Sequence, residues 1–379
     1  MSTPISLDEF NSIFPTWPDD SLSRRIDRIP AGSSWDIREL GTFQILRSPP
    51  AKKTPPTWLE FHFEEASARV RESEPMQSVL QLFRQDWRNK THEDLTQAAG
   101  PFASFVTLLS QVLETAIVSD DPRRDLRGQE VDAHALPSTG LLPSSPSVPS
   151  SPPEFPHKRF RKDRSSSSYW PSDESDQSSH DQRAKSEATT NACIYELLRC
   201  VTEISRTKND SPFRLEWTIT QDTITVHAGS HEYCTTNDGN FVHKAHRMGC
   251  WQRASNFSYC SIEAKSWHNT LEKPRTVKAQ EAAHLVAMFS QHMRAEEELQ
   301  HDLVVPLVSG AQNLFSLVLG NFPKEYEQYL HDGSQLEQLA LPKVEEYGMF
   351  KMQDSDELRI VFTIIVALNL KLQSLGPMG

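Results

Sequence analysis

Apolar positions along the chain fall into two patterned stretches separated by a long polar interval. In the first stretch, Met76–Trp87 and Phe102–Leu113, continuing to Val118, place hydrophobic residues every three to four positions, which predicts two amphipathic helices. Trp58-Leu-Glu-Phe-His-Phe63 alternates and predicts a short strand. In the second stretch, Ala192–Ile204 has helical spacing, and Arg214–Thr220 alternates as a strand. Gln221-Asp222 reads as a turn leading into a further strand, Thr223–His227. Phe257–Trp267 predicts a strand, Val277–Phe289 a helix, Leu314–Leu319 a buried strand bounded by Gly320, and Leu358–Leu375 a closing helix. The order of helix, hairpin, strand, helix, strand, helix implies an α/β fold with a mixed central sheet flanked by helices.

Between the two stretches, Leu141–Pro153 is low-complexity Ser/Pro sequence, and serine runs follow at Ser165–Ser168 and Ser172–Ser179. Such tracts bury too little apolar surface to offset the entropy of ordering them. The expected organisation is a mostly helical N-terminal region at 1–118, a disordered linker at 119–190 and a folded domain at 191–379. Inside the linker, His157-Lys-Arg-Phe-Arg-Lys-Asp-Arg164 is a basic run of the kind read by nuclear import or by nucleic acid. Nuclear location is therefore expected, with cytoplasm as the alternative. Protein partners are expected to engage the N-terminal region and the linker.

Composition narrows the classes. The first ten residues lack a basic stretch followed by an apolar run, so no secretory signal is expected. No apolar run approaches the ~18 residues that a membrane-spanning helix needs. Five cysteines, an odd number with no C-x-x-C pair, argue against a disulfide framework or a zinc knuckle and for thiols in a reducing compartment. A net charge of −12 is a poor global match to a polyanion partner. Its distribution is uneven, however. From Phe241 to Gln280 the cations Lys244, Arg247, Arg253, Lys265, Lys273, Arg275 and Lys278 face only Glu263 and Glu272. His243, His246 and His268 lie in the same window, the first two only three apart, which is weak support for a metal site.

That window contains the chain's most specific chemistry. In Ile262-Glu263-Ala264-Lys265 the carboxylate and ammonium are two apart on a strand, so they project from one face. A carboxylate suits a hard divalent cation, Mg²⁺ or Mn²⁺, and a lysine beside it can orient water and stabilise charge developing on a phosphate. A solvated Glu–Lys pair on a sheet face would give the same pattern.

Ser261-Ile-Glu-Ala-Lys265, on the strand before a long helix, resembles the PD-(D/E)XK nuclease superfamily. It is similar in particular to a Ser-Ile-Glu-Thr-Lys version found in fungal families with Ser/Pro-rich and basic N-terminal extensions. The resemblance spans roughly residues 191–320. It implies a restriction-endonuclease-like fold and metal-dependent cleavage of nucleic acid, DNA before RNA. By it, Glu263 is a metal ligand, Lys265 the catalytic lysine, and Gln280 a helix-opening glutamine that helps arrange the site. His284, one turn later, stands where such members often carry an aromatic residue. The upstream acid is open. Asp238 is 25 residues before Glu263 but sits in Asn237-Asp238-Gly239, a strong turn signal. Glu216 lies mid-strand, and Asp222 is a third candidate. Glu196 or Glu203 on the first helix of the domain would supply a further carboxylate. If no acid meets Glu263, the expected function becomes a catalytically inactive, nuclease-like interaction scaffold. No phosphate-binding loop, nucleophile elbow, H-E-x-x-H or dinucleotide fingerprint is present.

Overall fold

A computed structural model describes residues 7–14, 22, 28–51, 54–85, 87–119, 174–206, 213–265, 273–295, 301–333 and 341–375. The basic run His157–Arg164 and most of the expected linker lie outside the described residues. The first part of the chain contributes α1 (Leu7–Ile13), α2 (Ile37–Thr42), β1 (Leu46–Arg47), α3 (Thr57–Glu72), α4 (Glu74–Phe83), α5 (His92–Ala99) and α6 (Ala103–Ser119). The middle part holds α7 (Glu174–Ser205), β2 (Phe213–Thr218), β3 (Thr223–Ala228), β4 (His231–Thr236), β5 (Gly239–Arg247) and β6 (Cys250–Lys265). The last part holds α8 (Arg275–Ala295), β7 (Leu303–Ala311), β8 (Leu314–Phe322), α9 (Tyr326–Asp332), β9 (Lys343–Lys351) and α10 (Ser355–Ser374).

Seven strands form one mixed sheet in the order β1-β9-β8-β7-β6-β5-β2. β6 and β7 run parallel, as do β9 and β1, and the remaining neighbours are antiparallel. The expected mixed α/β sheet flanked by helices is present. Helices cover both faces because the strands are apolar on both sides, as strands in the middle of a layered fold must be. Residues of α3, α4, α6, α7 and α10 share one core with Trp217, Phe241, Tyr259, Ile262 and Leu317. Residues of α1, α2, α8, α9 and the small β3–β4 sheet share a second core with Val305, Leu307 and Val318. Each fully buried Leu, Ile or Phe in these layers stabilises the fold by ~1.5–3 kcal/mol. α10 starts sharply because the Asp354 side chain accepts from the N–H groups of Asp356 and Glu357, whose own charges suit the positive helix end.

Several elements differ from the sequence expectation. Trp58–Phe63 is helical, inside α3, not a strand. Leu59, Phe63, Ala66 and Val70 recur at helical spacing and face the core, while Phe61 is 89% exposed. The predicted hairpin of Arg214–Thr220 with Thr223–His227 does not form: β2 pairs with β5 and β3 with β4. The two segments diverge because Leu215 and Trp217 belong to the first core, and Ile224, Val226 and Ala228 to the second. β4, β5, β7 and β9 were not expected. Described residues within 1–118 also enter the same layers as the C-terminal part: β1 joins the sheet through Leu46↔Lys343 and Arg47↔Val344, and α3 packs on α10. α7 begins at Glu174, within the stretch expected as linker.

Close approach of α7 to the sheet depends on small residues. Gly310 on β7 pairs with Ala264 on β6, and a Cβ at Gly310 would fall 1.5 Å from Ile194 Cδ1 of α7. This dip is on the face opposite Glu263, whose side chain meets α8.

Candidate active site

Glu263 sits near the end of β6, opposite Ser309 of β7, and its carboxylate is buried. One oxygen, Oε1, is 2.6 Å from Lys265 Nζ, and Oε2 is 3.0 Å from His284 Nε2 on α8. Thr235 of β4 places its hydroxyl 3.1 Å from His284 Nδ1. Burial opposes the charge on Glu263, but His284 and Lys265 overcome it and hold the carboxyl down at about 2. Lys265 loses hydration by burial, yet Glu263 and then Asp238 and Glu187 raise its pKa, so it stays charged.

Asp238 completes the acidic part of the cluster. It lies in the bend between β4 and β5, which connects two different sheets. Its N–H donates to the Ile262 carbonyl at 3.0 Å, and its Oδ2 accepts from the Ala264 N–H at 2.8 Å. The aspartate is thereby laid against the residues either side of Glu263. Burial first, then the nearby Glu263 charge, raises its pKa, with the Ala264 N–H, Lys265 and His284 opposing. The bend is pinned by a buried amide set: Asn237 Nδ2 donates to Asn240 Oδ1 at 2.6 Å and to Ser261 Oγ at 3.1 Å. Gln221 donates to Asp238 Oδ1 at 3.3 Å, and Asn191 of α7 donates to the Asp238 carbonyl at 2.9 Å. One turn before Asn191, Glu187 acts on Lys265. α7 therefore adds a distant negative charge that acts on Lys265, from a position that the sequence reading did not consider.

The other candidates are elsewhere or in supporting places. Glu216 forms an ion cluster with Arg214 and with Lys244, whose Nζ is 2.7 Å away. Asp222 binds Arg253 at 2.6 Å and accepts from Asn240 at 3.1 Å, so it reaches the site only through the amide set. Glu196 pairs with Arg199 at 2.7 Å, and Glu203 with Arg206 at 3.1 Å. Gln280 is one turn before His284 on α8, and its amide donates to the Ser33 carbonyl, tying the N-terminal segment over the helix. The basic window is largely committed within the molecule: Lys244, Arg253, Lys265 and Lys273 all pair with carboxylates. Glu272 and His268 lie outside the described residues. His243 and His246 are three apart on β5, so they point to opposite faces and cannot share one ion.

A second ionic cluster sits close by and was invisible in the sequence. Arg47 of β1 contacts Glu281 at 2.5 Å and Glu346 at 2.9 Å. Lys273 lies 2.6 Å from each of the same carboxylates, and its Nζ is 3.2 Å from Ser309 Oγ. All four charged side chains are buried, and Arg47 also donates to the Lys278 carbonyl at 2.8 Å. Burial opposes the charge on Glu346, but Lys273 and Arg47 hold its carboxyl at about 2.

Among the described residues, no group of three or more His, Cys, Asp or Glu gathers as a metal cage, and no helix is long and apolar enough to cross a membrane. What the site offers a cation is two carboxylates, Asp238 and Glu263. Asp238 is crowded by a like charge, and among the described residues each Glu263 oxygen makes a single contact, which leaves a second lone pair. That donor set suits Mg²⁺, which binds through one or two carboxylates and retains water, and not a closed structural zinc centre. No protein-family model matches the sequence, and no curated protein matches it.

Proposed function

We propose that the protein is a divalent-metal-dependent phosphodiesterase acting on nucleic acid, DNA before RNA, on a restriction-endonuclease-like fold. The observation that carries this reading is the position of Asp238. Of the three upstream acids considered, it is the one held against the Ile262–Ala264 backbone, where its charge meets that of Glu263.

Asp238 and Glu263 are the residues that would hold Mg²⁺ or Mn²⁺, which when bound supplies Lewis-acid stabilisation of a phosphoryl oxygen and lowers the pKa of water. Lys265, fixed by Glu263 and only part-buried, can donate to a water or to a non-bridging phosphate oxygen and offset the charge that develops there. His284 clamps the far oxygen of Glu263 and limits its rotation, while Thr235 limits rotation of the imidazole. Gln280 acts indirectly, by holding the Ser33 segment over α8.

One observation favours a second reading, an inactive interaction scaffold: both Glu263 oxygens already have cationic or imidazole partners within the chain. Cleavage of labelled DNA and RNA by the full chain with Mg²⁺ or Mn²⁺ separates the two. Activity that falls at least ~10²-fold in both Glu263→Ala and Lys265→Ala supports the enzyme, the scale expected for losing an electrostatic contact at a reacting centre. Full activity in Lys265→Ala, or none in the folded wild type, rejects it.

A further inference from the structure

β2 flanks the β5–β6 hairpin as far as Ala245, and beyond it the hairpin tip continues as a short arm. Beyond the irregular pairing around Val242, the ladder runs Lys244↔Arg253, Ala245↔Gln252, His246↔Trp251 and Arg247↔Cys250. The tip is Met248-Gly249, both at positive φ (52° and 79°), as a two-residue hairpin turn requires. Glycine takes that conformation without strain, whereas methionine does so at a cost. The methionine side chain held there is 100% exposed. His246, Arg247 and Cys250 are exposed beside it.

The arm's chemistry is one-sided. From Gly239 to Ile262 there is no acidic residue, against Lys244, Arg247 and Arg253. Lys244 and Arg253 are directly opposed, an arrangement of like charges that destabilises a ladder on its own. Glu216 and Asp222, from outside the hairpin, offset them. Among the described residues nothing comparable is built around Arg247 at the tip. Behind it, Trp251 is held flat by Arg214, whose guanidinium carbon is 4.0 Å from the ring centroid, and edge-on by His246 at 5.3 Å. The result is a braced aromatic platform, an exposed cation and an exposed apolar tip at the end of a hairpin that β2 flanks as far as Ala245.

We propose that this arm grips nucleic acid, with Arg247 on a backbone phosphate and Met248 and Trp251 against bases or sugars. The proposal rests on the phosphodiesterase reading for its choice of polyanion, and it deepens that reading by assigning the substrate an extent. The ladder runs from Arg247↔Cys250 to Gly239↔Ile262, eight steps along β5, which is about 27 Å at ~3.4 Å per residue. Nucleic acid touching both ends would therefore run for about eight steps at ~3.4 Å each. Phosphate contact supplies affinity and salt dependence, and apolar or aromatic contact supplies stacking on a sequence-tolerant surface.

The test is fluorescence anisotropy with the full chain in EDTA, so that binding is read without cleavage, using a labelled 30-bp DNA duplex and a labelled 30-nt RNA. The variant is Arg247→Glu with Met248→Asn. Asn-Gly is favoured at this turn, so the substitution preserves the hairpin while removing both contacts. A loss of roughly tenfold in affinity for at least one probe, with the salt slope lower by about one, is expected. Which probe responds tells DNA from RNA. Arg247→Lys, which keeps the charge, is expected to stay within about threefold of wild type on the phosphate-contact model. Wild-type binding that the double variant leaves intact would overturn the arm while leaving the catalytic reading standing. Absence of wild-type binding to either probe would also overturn it. Arm-dependent binding without metal-dependent cleavage would sustain the arm and remove the phosphodiesterase.

Discussion

Two ionic clusters meet the same helix, α8, within one turn of each other: Glu281 serves the first and His284 the second. The Arg47–Lys273–Glu281–Glu346 set has two cations and two carboxylates, each facing both opposite charges where geometry allows, and all are sealed from solvent. The Asp238–Glu263–Lys265–His284 set is unbalanced. Lys265 and His284 both contact Glu263, Lys265 remains 20% exposed, and Asp238 is pushed towards its neutral form by burial and by Glu263. A balanced, dry cluster fixes the join between β1, β9 and α8. An unbalanced and reachable one keeps electrostatic strain that a cation would relieve. Similar residue types, sealed in one set and reachable in the other, therefore point to different jobs.

The largest contrast is in stability. Lys273→Met leaves Glu281 and Glu346 with Arg47 alone, and breaking a buried pair from one side typically costs ~3–5 kcal/mol. Denaturant unfolding should show that loss, or no folded protein, and a loss under ~1 kcal/mol would mean the quartet is not the anchor described. Because Arg47 comes from the N-terminal region, the same result would make residues 28–51 part of the domain and not an appendage.

Asp238→Asn should act in the opposite direction. Removing a like charge beside Glu263, while keeping an oxygen for the Ala264 N–H, should raise the Tm at neutral pH by ~2 °C. The sign follows from the raised pKa. The folded state disfavours the ionised carboxyl, so the penalty appears as pH rises above the unfolded value of 3.8 and is absent below it. The advantage of the variant should accordingly vanish in acid. Glu263 and Glu346 behave conversely. Held at about 2 against an ordinary 4.5, they contribute stability that is complete above 4.5 and lost as pH falls through about 2. A Tm for Asp238→Asn well below wild type at pH 7 would contradict the claim of strain.

Glu216→Gln should matter least. Its partners Arg214 and Lys244 are about a quarter to a third exposed, so the expected cost is under ~1 kcal/mol, with no change in metal affinity. A loss of metal binding here would return Glu216 to the site and displace Asp238.

The helices α4, α6, α8 and α10 could be read from the sequence because each keeps apolar spacing over ten or more residues. β7 could not, since Pro306 argues against a central strand. It is tolerated because the β6–β7 ladder begins one residue later, at Leu307. At the site, Glu263-x-Lys265 was legible because two residues on one strand carry their own geometry. Asp238 was ambiguous for a physical reason: Asn-Asp-Gly marks a bend whether or not the aspartate is used, and here the bend delivers it. Glu187 was hidden because α7 begins earlier than its apolar spacing shows. The buried quartet draws on positions 47, 273, 281 and 346, which only the fold brings together.

The most direct measurement is Mn²⁺ and Mg²⁺ binding to the full chain by calorimetry at neutral pH, with Asp238→Ala and Glu263→Ala beside the wild type. The account predicts one site that is lost in both variants, with protein that remains folded. A folded wild type that binds neither ion, or binding that survives the loss of either carboxylate, would contradict it.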